Sequence, residues 1–439
     1  MHNLKRVLLS VSAFTFLSSA LAAIVVPGAS GSDGPLVITT DTVIDLAKAG
    51  TGAWDSNVPA NSGLGVYDPA KWAVVFKYSS VTIRSNATVT FRNHPSRAPV
   101  VWLVSGNVVI NGKLSLDGEN RVPGPKHAEP GPGGYRGGTT FFGSMQSGSG
   151  FGPGGGRAVR GAGEPAFSGT DSTFRRWDQT LGGWNPIGPT GRPGTDGYGN
   201  PSLLQLIGGS GGGGDNGDSG NGGGAGGGAI MIACAAQITV DGQISSKGGD
   251  ANGNQFSRGG PGSGGGVRLI CDSIAGRGIV AATGGVDGFG CCPAGQEGGV
   301  GRIRVERVNN SGAIWFAPDP STVTVNPNHE ALLWPRSIDP QVRILSIGQI
   351  SVPLDPRAGF GAFGPDVALA LTNRTFVSVE THNVETTSQV IVRLTPRTDD
   401  NFVEVNAGLV GAEAGALRWL AQLPVKPGYS AVQVRVVRP

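Results

Sequence analysis

Pairs of carboxylic acids are the first groups in this chain that could do chemistry. Hydrolysis of a glycosidic bond needs two such acids about 5–10 Å apart. Four candidates lie in a long glycine-rich stretch and two at predicted chain turns: Glu164, Asp171, Asp178, Asp196, Asp117 and Asp241. None has a diagnostic neighbourhood, and hydrogen bonding to the local backbone explains an Asp at a turn. We therefore assign no catalytic residue and expect no cofactor.

Histidine motifs are equally weak. After the N-terminal segment the chain has four isolated histidines, His94, His127, His329 and His382. None belongs to a nucleophile motif, and no Gly-x-Ser-x-Gly elbow is present. We therefore expect these histidines to lie at the surface or in turns.

The sequence contains no strong metal-binding motif. Zinc would need closely spaced cysteine or histidine ligands, and the four cysteines form no Cys-x-x-Cys. Residues 215–218, Asp-Asn-Gly-Asp, are similar to a calcium-binding Gly-Asp loop but lack the repeated nonapeptide that makes that motif strong. We predict no metal site.

Aromatic side chains offer a different chemistry, because they can stack on sugar rings. The best candidates for ligand binding lie together in the glycine-rich stretch: Arg175, Arg176, Trp177, Trp184 and Tyr198. The alternative is that these side chains pack a small core of their own.

The composition shows in what kind of chain these candidate residues lie. The chain has 439 residues and 76 glycines, of which 56 lie between Arg121 and Val300. No Gly-X-Y period runs through this stretch, which excludes collagen. The 34 basic and 31 acidic residues nearly balance, which argues against a nucleic-acid partner.

The N-terminus predicts export. Lys5 and Arg6 precede an apolar run over 7–17, and Ala20-Leu21-Ala22 follows in a small-residue stretch. This order is typical of a signal peptide, here 1–23. No other run of about 18 apolar residues occurs, so we expect no integral span after signal removal and a secreted or cell-surface location.

Export also bears on the cysteines. An oxidising compartment favours disulfides among Cys234, Cys271, Cys291 and Cys292, and four cysteines allow three pairings. The sequence does not choose among the three.

A repeat underlies the glycine-rich composition. Three segments match without gaps, the second offset by 130 residues and the third by another 36: 101–118, 231–248 and 267–284. An earlier, gapped copy runs from Val74 to Phe91. Each copy predicts three short strands with glycine at the turns, since a tight corner needs positive φ.

Stacking would bury the inner face that one copy leaves open. The repeat therefore predicts a right-handed parallel β-helix solenoid with glycine-rich insertions, over 24–316. An antiparallel meander is the alternative. Alternate residues place Leu103, Val108, Ile110, Leu114 and Leu116 inside. Leu114, Ile244 and Val280 should form one column, with Cys234 pointing outward and Cys271 inward.

Glycine-rich inserts leave the copies at the same corner. They cover 119–228, 249–266 and 285–301. Insertions at one corner share a face, often the binding face. The aromatics of the first insert favour a packed layer of extended left-handed helices over a flexible linker.

Several motifs carry a resemblance. Residues 72–78, residues 94–104 (His-Pro-Ser-Arg-Ala-Pro-Val-Val-Trp-Leu-Val) and the returns from Gly-Gly-Gly into strands resemble a set of uncharacterised secreted bacterial glycine-rich proteins. That set is similar to adhesin-like parallel β-helix proteins. The resemblance covers about 27–312 and implies a fold, but it brings no activity or catalytic residue.

After Gly312 the glycine content falls. Trp334-Pro335 and Asp339-Pro340 mark a boundary, and short apolar runs separated by turn signals follow. This pattern predicts an antiparallel β-sandwich domain over 335–439, with a further stretch of solenoid as the rival.

The function expected from these features is non-catalytic. We expect an exported structural or adhesion protein whose partner is an extracellular glycan or another cell-surface component. The alternative is a polysaccharide lyase or glycoside hydrolase on the same scaffold. An enzyme would need a cleft with two or more convergent ionisable groups.

Overall fold

The computed structural model describes residues 23–50, 65–122, 124, 126–140, 147–158, 174–178, 183–187, 198–215, 221–251, 258–286, 297–357, 364–370, 373–398 and 401–439. In 174–178 and 183–187 it describes the backbone only. The predicted signal peptide, apart from Ala23, lies outside the described residues, as do Cys291 and Cys292.

The all-β prediction is confirmed. Within the described part of the chain, the only helical element is one 3₁₀ turn, Leu46–Lys48. The strands are β1 (Pro35–Ile38), β2 (Thr42–Asp45), β3 (Val66–Asp68), β4 (Ala73–Tyr78), β5 (Ser80–Ile83), β6 (Thr88–Arg92), β7 (Val100–Val104), β8 (Val108–Ile110), β9 (Lys113–Ser115), β10 (Phe174–Asp178), β11 (Gly183–Ile187), β12 (Ala229–Val240), β13 (Gln243–Ser245), β14 (Gly266–Ala275), β15 (Ile279–Ala281), β16 (Arg302–Asn310), β17 (Trp315–Ala317), β18 (Ser321–Thr324), β19 (Gln341–Ile347), β20 (Ile350–Ser351), β21 (Arg374–His382), β22 (Gln389–Pro396), β23 (Val403–Glu413), β24 (Ala416–Pro424) and β25 (Ser430–Val437).

The repeat copies pair with one another as parallel strands. One sheet has the path β1-β5-β8-β12-β14-β16-β18, with β3, β4 and β7 attached, and a second has the order β17-β15-β13-β9-β6-β2. β3 and β4 form the one antiparallel pair that the structure describes in these two sheets. Long strands β12 and β14 each replace two shorter strands of the earlier copies, since β12 pairs with both β7 and β8.

The predicted column is confirmed. Ile244 is the register partner of Leu114 on one side and of Val280 on the other. All three are fully buried in one apolar cluster that runs through the copies. Each copy therefore covers the apolar face of its neighbour, and this burial is the main force that holds the parallel sheets together.

The inward face predicted for the first strand is wrong in the copies that contain Leu103 and Ala233, and right in the copy that contains Leu269. Trp102 and Val104, rather than Leu103, belong to the cluster that contains Leu114. Leu103 lies in a second apolar cluster, which the segments around Val26 and Leu333 complete. Because β7 is buried on both faces, its sequence carries no polar alternation that could identify the inner one.

The predicted orientation of Cys234 is wrong for the same reason, because Cys234 pairs with Val104 in the ungapped register and Val104 lies in the inner cluster. Cys234 pairs with Cys271 at an offset of 37, and an irregularity before Gln237 restores the offset of 36 at Ile238 and Ile274. A one-residue shift reverses the face of a strand. Both cysteines consequently lie in the inner cluster, and they are not joined by a disulfide.

The described parts of the glycine-rich inserts form a packed layer, which we call the glycine layer (131–138, 147–156, 208–214, 222–228 and 259–265). Its residues are mostly buried, so the glycines themselves are not displayed as a recognition face. The N–H groups of residues 223–228 donate to three neighbouring segments in turn, repeating every three residues, at the carbonyl oxygens of Gly138, Gly260, Glu119, Tyr135, Ser263 and Leu116. Three residues per turn is the period of a polyproline II-type helix, as predicted for this layer.

The C-terminal strands form one continuous antiparallel sheet, in the order β20-β19-β21-β24-β23-β22-β25. Strand β23 pairs with β22 through Val403–Ala407 and with β24 through Gly408–Glu413, so it joins the two halves and the sheet curls into a half-barrel. The predicted antiparallel C-terminal strands are confirmed, and their two sandwich-like halves are joined through β23 into one curled sheet.

The half-barrel sits directly on the glycine layer. Asn401 Oδ1 accepts from Ser149 Oγ at 2.8 Å and from Ala158 N at 2.7 Å. Arg393 Nη1 donates to the carbonyl oxygen of Gly152 at 2.8 Å while its other nitrogens bind Glu404. These contacts fix the space that remains between the two parts.

Candidate functional site

That space is a cleft of about 760 Å³. One wall comes from the glycine layer and from turns of the parallel sheets, and carries Trp72, Arg97, Tyr135, Arg136 and Phe151. The other comes from β19, β25 and the loops beside them, including Arg343, Leu354 and Tyr429. The volume falls in the range of about 300–1,000 Å³ that ligand sites occupy.

A tight turn positions the first wall. Arg97 N donates to the carbonyl oxygen of His94 at 2.8 Å, and Arg97 itself has φ of 57°. Ser96 N donates to His94 Nδ1 at 3.1 Å, so this nitrogen is an acceptor, and Ser96 Oγ lies 2.7 Å from it. Trp72, also at positive φ, donates its Nε1–H to the carbonyl oxygen of Ser96. The turn therefore fixes an indole and a guanidinium side by side.

Tyr67 connects this turn to the C-terminal part. Its ring stacks on His94 with centroids 4.1 Å apart, and its hydroxyl donates to Asp355 Oδ1 at 2.6 Å. Burial, followed by the hydrogen bond to Asp355, raises the pKa of Tyr67 to about 12. Burial lowers the pKa of His94, although the charge of Asp355 opposes this. At neutral pH we therefore expect a neutral imidazole beside a protonated phenol.

Two guanidinium groups of the cleft wall share one carboxylate. Arg97 Nη1 lies 2.9 Å from Glu129 Oε2, and Arg136 Nε lies 2.7 Å from Glu129 Oε1. Burial raises the pKa of Glu129, but Arg97 and Arg136 together lower this pKa by a larger amount, so the net shift is downward. The three groups carry a net positive charge at neutral pH.

Carboxylates are scarce in the cleft. Asp366 is the one carboxylate among the described residues that line it, and its Oδ1 accepts from Arg357 N at 2.8 Å. Hydrolysis by the usual mechanism needs two carboxyl groups, one of them a protonated acid. The described lining does not supply that pair.

The predicted ligand-binding residues are not among the described residues that line the cleft. Arg175, Arg176 and Trp177 are in β10, and Trp177 is the register partner of Trp184 in β11, so four of the five share one antiparallel hairpin. Their side chains lie outside the described residues. Tyr198 is described, and its hydroxyl donates to the carbonyl oxygen of Gly208 and accepts from Ser210 Oγ. That hydroxyl links Tyr198 to Gly208 and Ser210 of the glycine layer.

Of the six predicted acids, Asp117 and Asp241 are the two whose side chains are described. Glu164, Asp171 and Asp196 lie outside the described residues, and of Asp178 only the backbone is described. Asp117 accepts from Ser115 Oγ in its own copy and from Ser245 Oγ and Lys247 N in the next. Asp241 accepts from Arg277 N. Both corner acids therefore bond to turns and to the adjacent copy.

The other chemistry-bearing residues do not converge on the cleft. His127 donates Nδ1–H to the carbonyl oxygen of Gly137 at 2.8 Å, and burial lowers its pKa to about 4. His329 and His382 are not among the described residues that line the cleft. Wherever side chains are described, no group of three or more His, Cys, Asp or Glu is placed to hold a metal ion. Of the calcium-like loop, 216–218 lie outside the described residues.

Sequence reasoning missed the residues that line the cleft. A weak signal was present in two places. Pro95-Ser96-Arg97 is a turn sequence, and Tyr135-Arg136 stands alone between two Gly-Gly pairs. Tyr135 and Arg136 are the only large side chains in the sequence from Gly133 to Gly138, and both line the cleft.

Comparisons with protein-family models, with curated proteins and with solved structures found no match. Among the described residues, none of the helical structure is long and apolar enough to span a membrane.

Proposed function

We propose that this protein is an exported, non-catalytic cell-surface or extracellular protein with a structural or adhesive role, and that it binds a glycan in the cleft. The observation that carries the proposal is the lining of the cleft. Rings from Trp72, Tyr135 and Tyr429 offer faces on which a sugar ring can stack, and Arg97 and Arg136 offer hydrogen-bond donors.

The scarcity of acids supports binding over hydrolysis. A glycoside hydrolase requires two convergent carboxyl groups, whereas the described lining offers Asp366 alone. Glu129 contacts both arginines, and its lowered pKa keeps it ionised, which disqualifies it as a general acid. Rigid walls hold the remaining groups in place, as a binding site requires.

For the scaffold, we propose that the parallel part winds as a right-handed parallel β-helix solenoid. In-register pairing of the copies at offsets of 130 and 36–37 residues supports this. Parallel strands joined by crossovers are right-handed in about 98% of cases. A crystal structure in which successive copies do not follow one another as coils would contradict it.

The test of glycan binding compares two exposed aromatics of the half-barrel. Tyr429, 38% exposed, lines the cleft, whereas Phe376, 49% exposed, lies on the same sheet outside it. Isothermal titration against a panel of neutral and acidic oligosaccharides should detect binding to the wild-type protein. Tyr429→Ala should weaken it by about 1–2 kcal/mol, the value of a ring stacked on its ligand, and Phe376→Ala should not. No binding to any sugar in the panel would refute the proposal.

The second candidate is a polysaccharide lyase, which the cluster of Tyr67, His94 and Ser96 favours. A lyase removes a proton from the sugar carbon beside a carboxylate and breaks the adjacent C–O bond, which leaves an unsaturated end. Ser96 lines the cleft, and its hydroxyl could take that proton while passing its own to Nδ1 of the neutral His94, 2.7 Å away, with solvent protonating the departing oxygen. Release of unsaturated ends that absorb in the ultraviolet, lost in His94→Gln, would establish the lyase and overturn the non-catalytic reading.

A further inference from the structure

Arg97 and Arg136 give one end of the cleft an excess of positive charge. Their guanidinium groups reach Glu129 from opposite sides, one at each carboxylate oxygen. Glu129, which both guanidinium groups contact, carries one negative charge against their two positive charges. Both guanidinium groups are largely shielded from solvent, which strengthens their interaction with any anion that enters.

The two positive charges are also close enough to disfavour each other. Burial lowers the pKa of Arg136, and the charge of Arg97 lowers it further. A second carboxylate beside this pair would relieve the repulsion. Guanidinium groups bind carboxylates through two parallel hydrogen bonds, a planar match that an ammonium group cannot make.

Apolar rings adjoin this charged end. Tyr135 immediately precedes Arg136, and the side chain of Phe151 lines the same wall. A hexuronate residue presents both features at once, because its ring has apolar C–H faces and its carboxylate lies at the ring edge. The wall therefore suits a sugar that carries a carboxylate better than a neutral sugar.

We propose that the cleft recognises a polyuronate chain, with the carboxylate of one hexuronate residue held by Arg97 and Arg136. This inference rests on the proposed glycan-binding function. It adds the chemical class of the ligand and the two side chains that select it.

The primary experiment uses the wild-type chain and four probes in calorimetry. They are oligogalacturonate, its fully methyl-esterified form, a neutral cello-oligosaccharide of equal length and a sulfated oligosaccharide. Oligogalacturonate should bind best. Esterification removes the carboxylate charge and keeps the sugar ring. It should weaken binding by about ten- to a hundredfold, which corresponds to the free energy of hydrogen bonds to a charged group. Added salt should weaken the charged interaction.

Variants of Arg97 test whether its guanidinium group is what distinguishes the acid from its methyl ester. Arg97→Gln should reduce affinity for oligogalacturonate to near that of the methyl ester, and Arg97→Lys should fall between, since it keeps the charge and loses the planar fork. Arg84→Gln, an exposed arginine outside the cleft, is the matched control. Thermal unfolding of each variant checks that the chain remains folded.

The possible outcomes separate the two proposals. Equal affinity for the acid, its methyl ester and the neutral sugar would overturn the polyuronate inference and leave glycan binding intact. Tighter binding of the sulfated probe would overturn the carboxylate assignment. If neither the four probes nor any oligosaccharide of the neutral and acidic panel bound, both the polyuronate inference and the proposed glycan binding would be refuted.

Discussion

A methyl group added to the glycine layer tests how tightly that layer is packed. In Gly212→Ala the new Cβ would lie 1.9 Å from the carbonyl oxygen of Gly260 and 2.3 Å from its carbonyl carbon. Atoms this close must move apart by more than 1 Å. The obstacle is backbone that is itself hydrogen-bonded, since Gly224 N donates to Gly260 O at 2.9 Å. Relief of the clash therefore disturbs a second segment of the layer.

The expected cost follows from these two effects. Overpacking of a well-packed interior costs about 1–3 kcal/mol. Loss or distortion of a buried backbone hydrogen bond adds about 1–3 kcal/mol. Gly212→Ala should therefore lower the free energy of unfolding by about 2–6 kcal/mol.

Gly408→Ala is the matched control. Gly408 lies in β23, and a Cβ built there meets no atom within 4 Å. That substitution should be neutral or stabilising by up to about 1 kcal/mol, because alanine restricts the unfolded chain. Guanidinium denaturation followed by circular dichroism compares the two. If Gly212→Ala proved as harmless as Gly408→Ala, the glycine segments would not be packed as described.

Two further predictions concern titration and reactivity. Because burial lowers the pKa of His127 to about 4, the unfolded chain binds a proton between pH 6.5 and 4 that the folded chain resists. Stability should fall by up to about 3 kcal/mol across that window as pH decreases, and denaturation midpoints of His127→Gln should lack this part of the fall. Cys234 and Cys271 are fully buried, and burial raises the pKa of the Cys234 thiol to about 12, so iodoacetamide should label both only after unfolding. Rapid labelling of either one, read by peptide mass spectrometry in the folded protein, would contradict their burial.

The parallel pairing could be predicted because the repeat aligns the residues that become register partners. Leu114, Ile244 and Val280 recur at the same position of successive copies, and stacking is the way to bury all three. The inner face of β7 could not be read in the same way. Val101 and Leu103 are as apolar as Trp102, because residues 24–26 and 331–333 cover the outer face.

The register at Cys234 depends on a local irregularity that no residue type marks. Ala235 and Ala236 occupy the bend in β12, and neither is a glycine or proline that would signal a bulge. An ungapped alignment therefore misses the offset of 37 that pairs Cys234 with Cys271. The half-barrel shows a similar limit, since short antiparallel strands predict a sheet but not whether β23 joins its two halves.

The cleft could not be predicted because distant parts of the chain form it. Trp72 and Arg97 come from turns near the N-terminus, and Tyr429 comes from the last strand region. Their convergence depends on how the half-barrel meets the glycine layer through Asn401 and Arg393. Sequence reasoning chose aromatics that are neighbours in the chain, whereas the cleft collects residues that are neighbours only after folding.

A crystal structure of the chain with a bound oligogalacturonate tests the central claim most directly. We predict a sugar chain in the cleft between the glycine layer and the half-barrel, with one carboxylate within hydrogen-bond distance of Arg97 and Arg136 and a sugar ring against Tyr135 or Tyr429. A sugar bound at the β10–β11 hairpin or on the outer face of the half-barrel, with the cleft empty, would contradict the account.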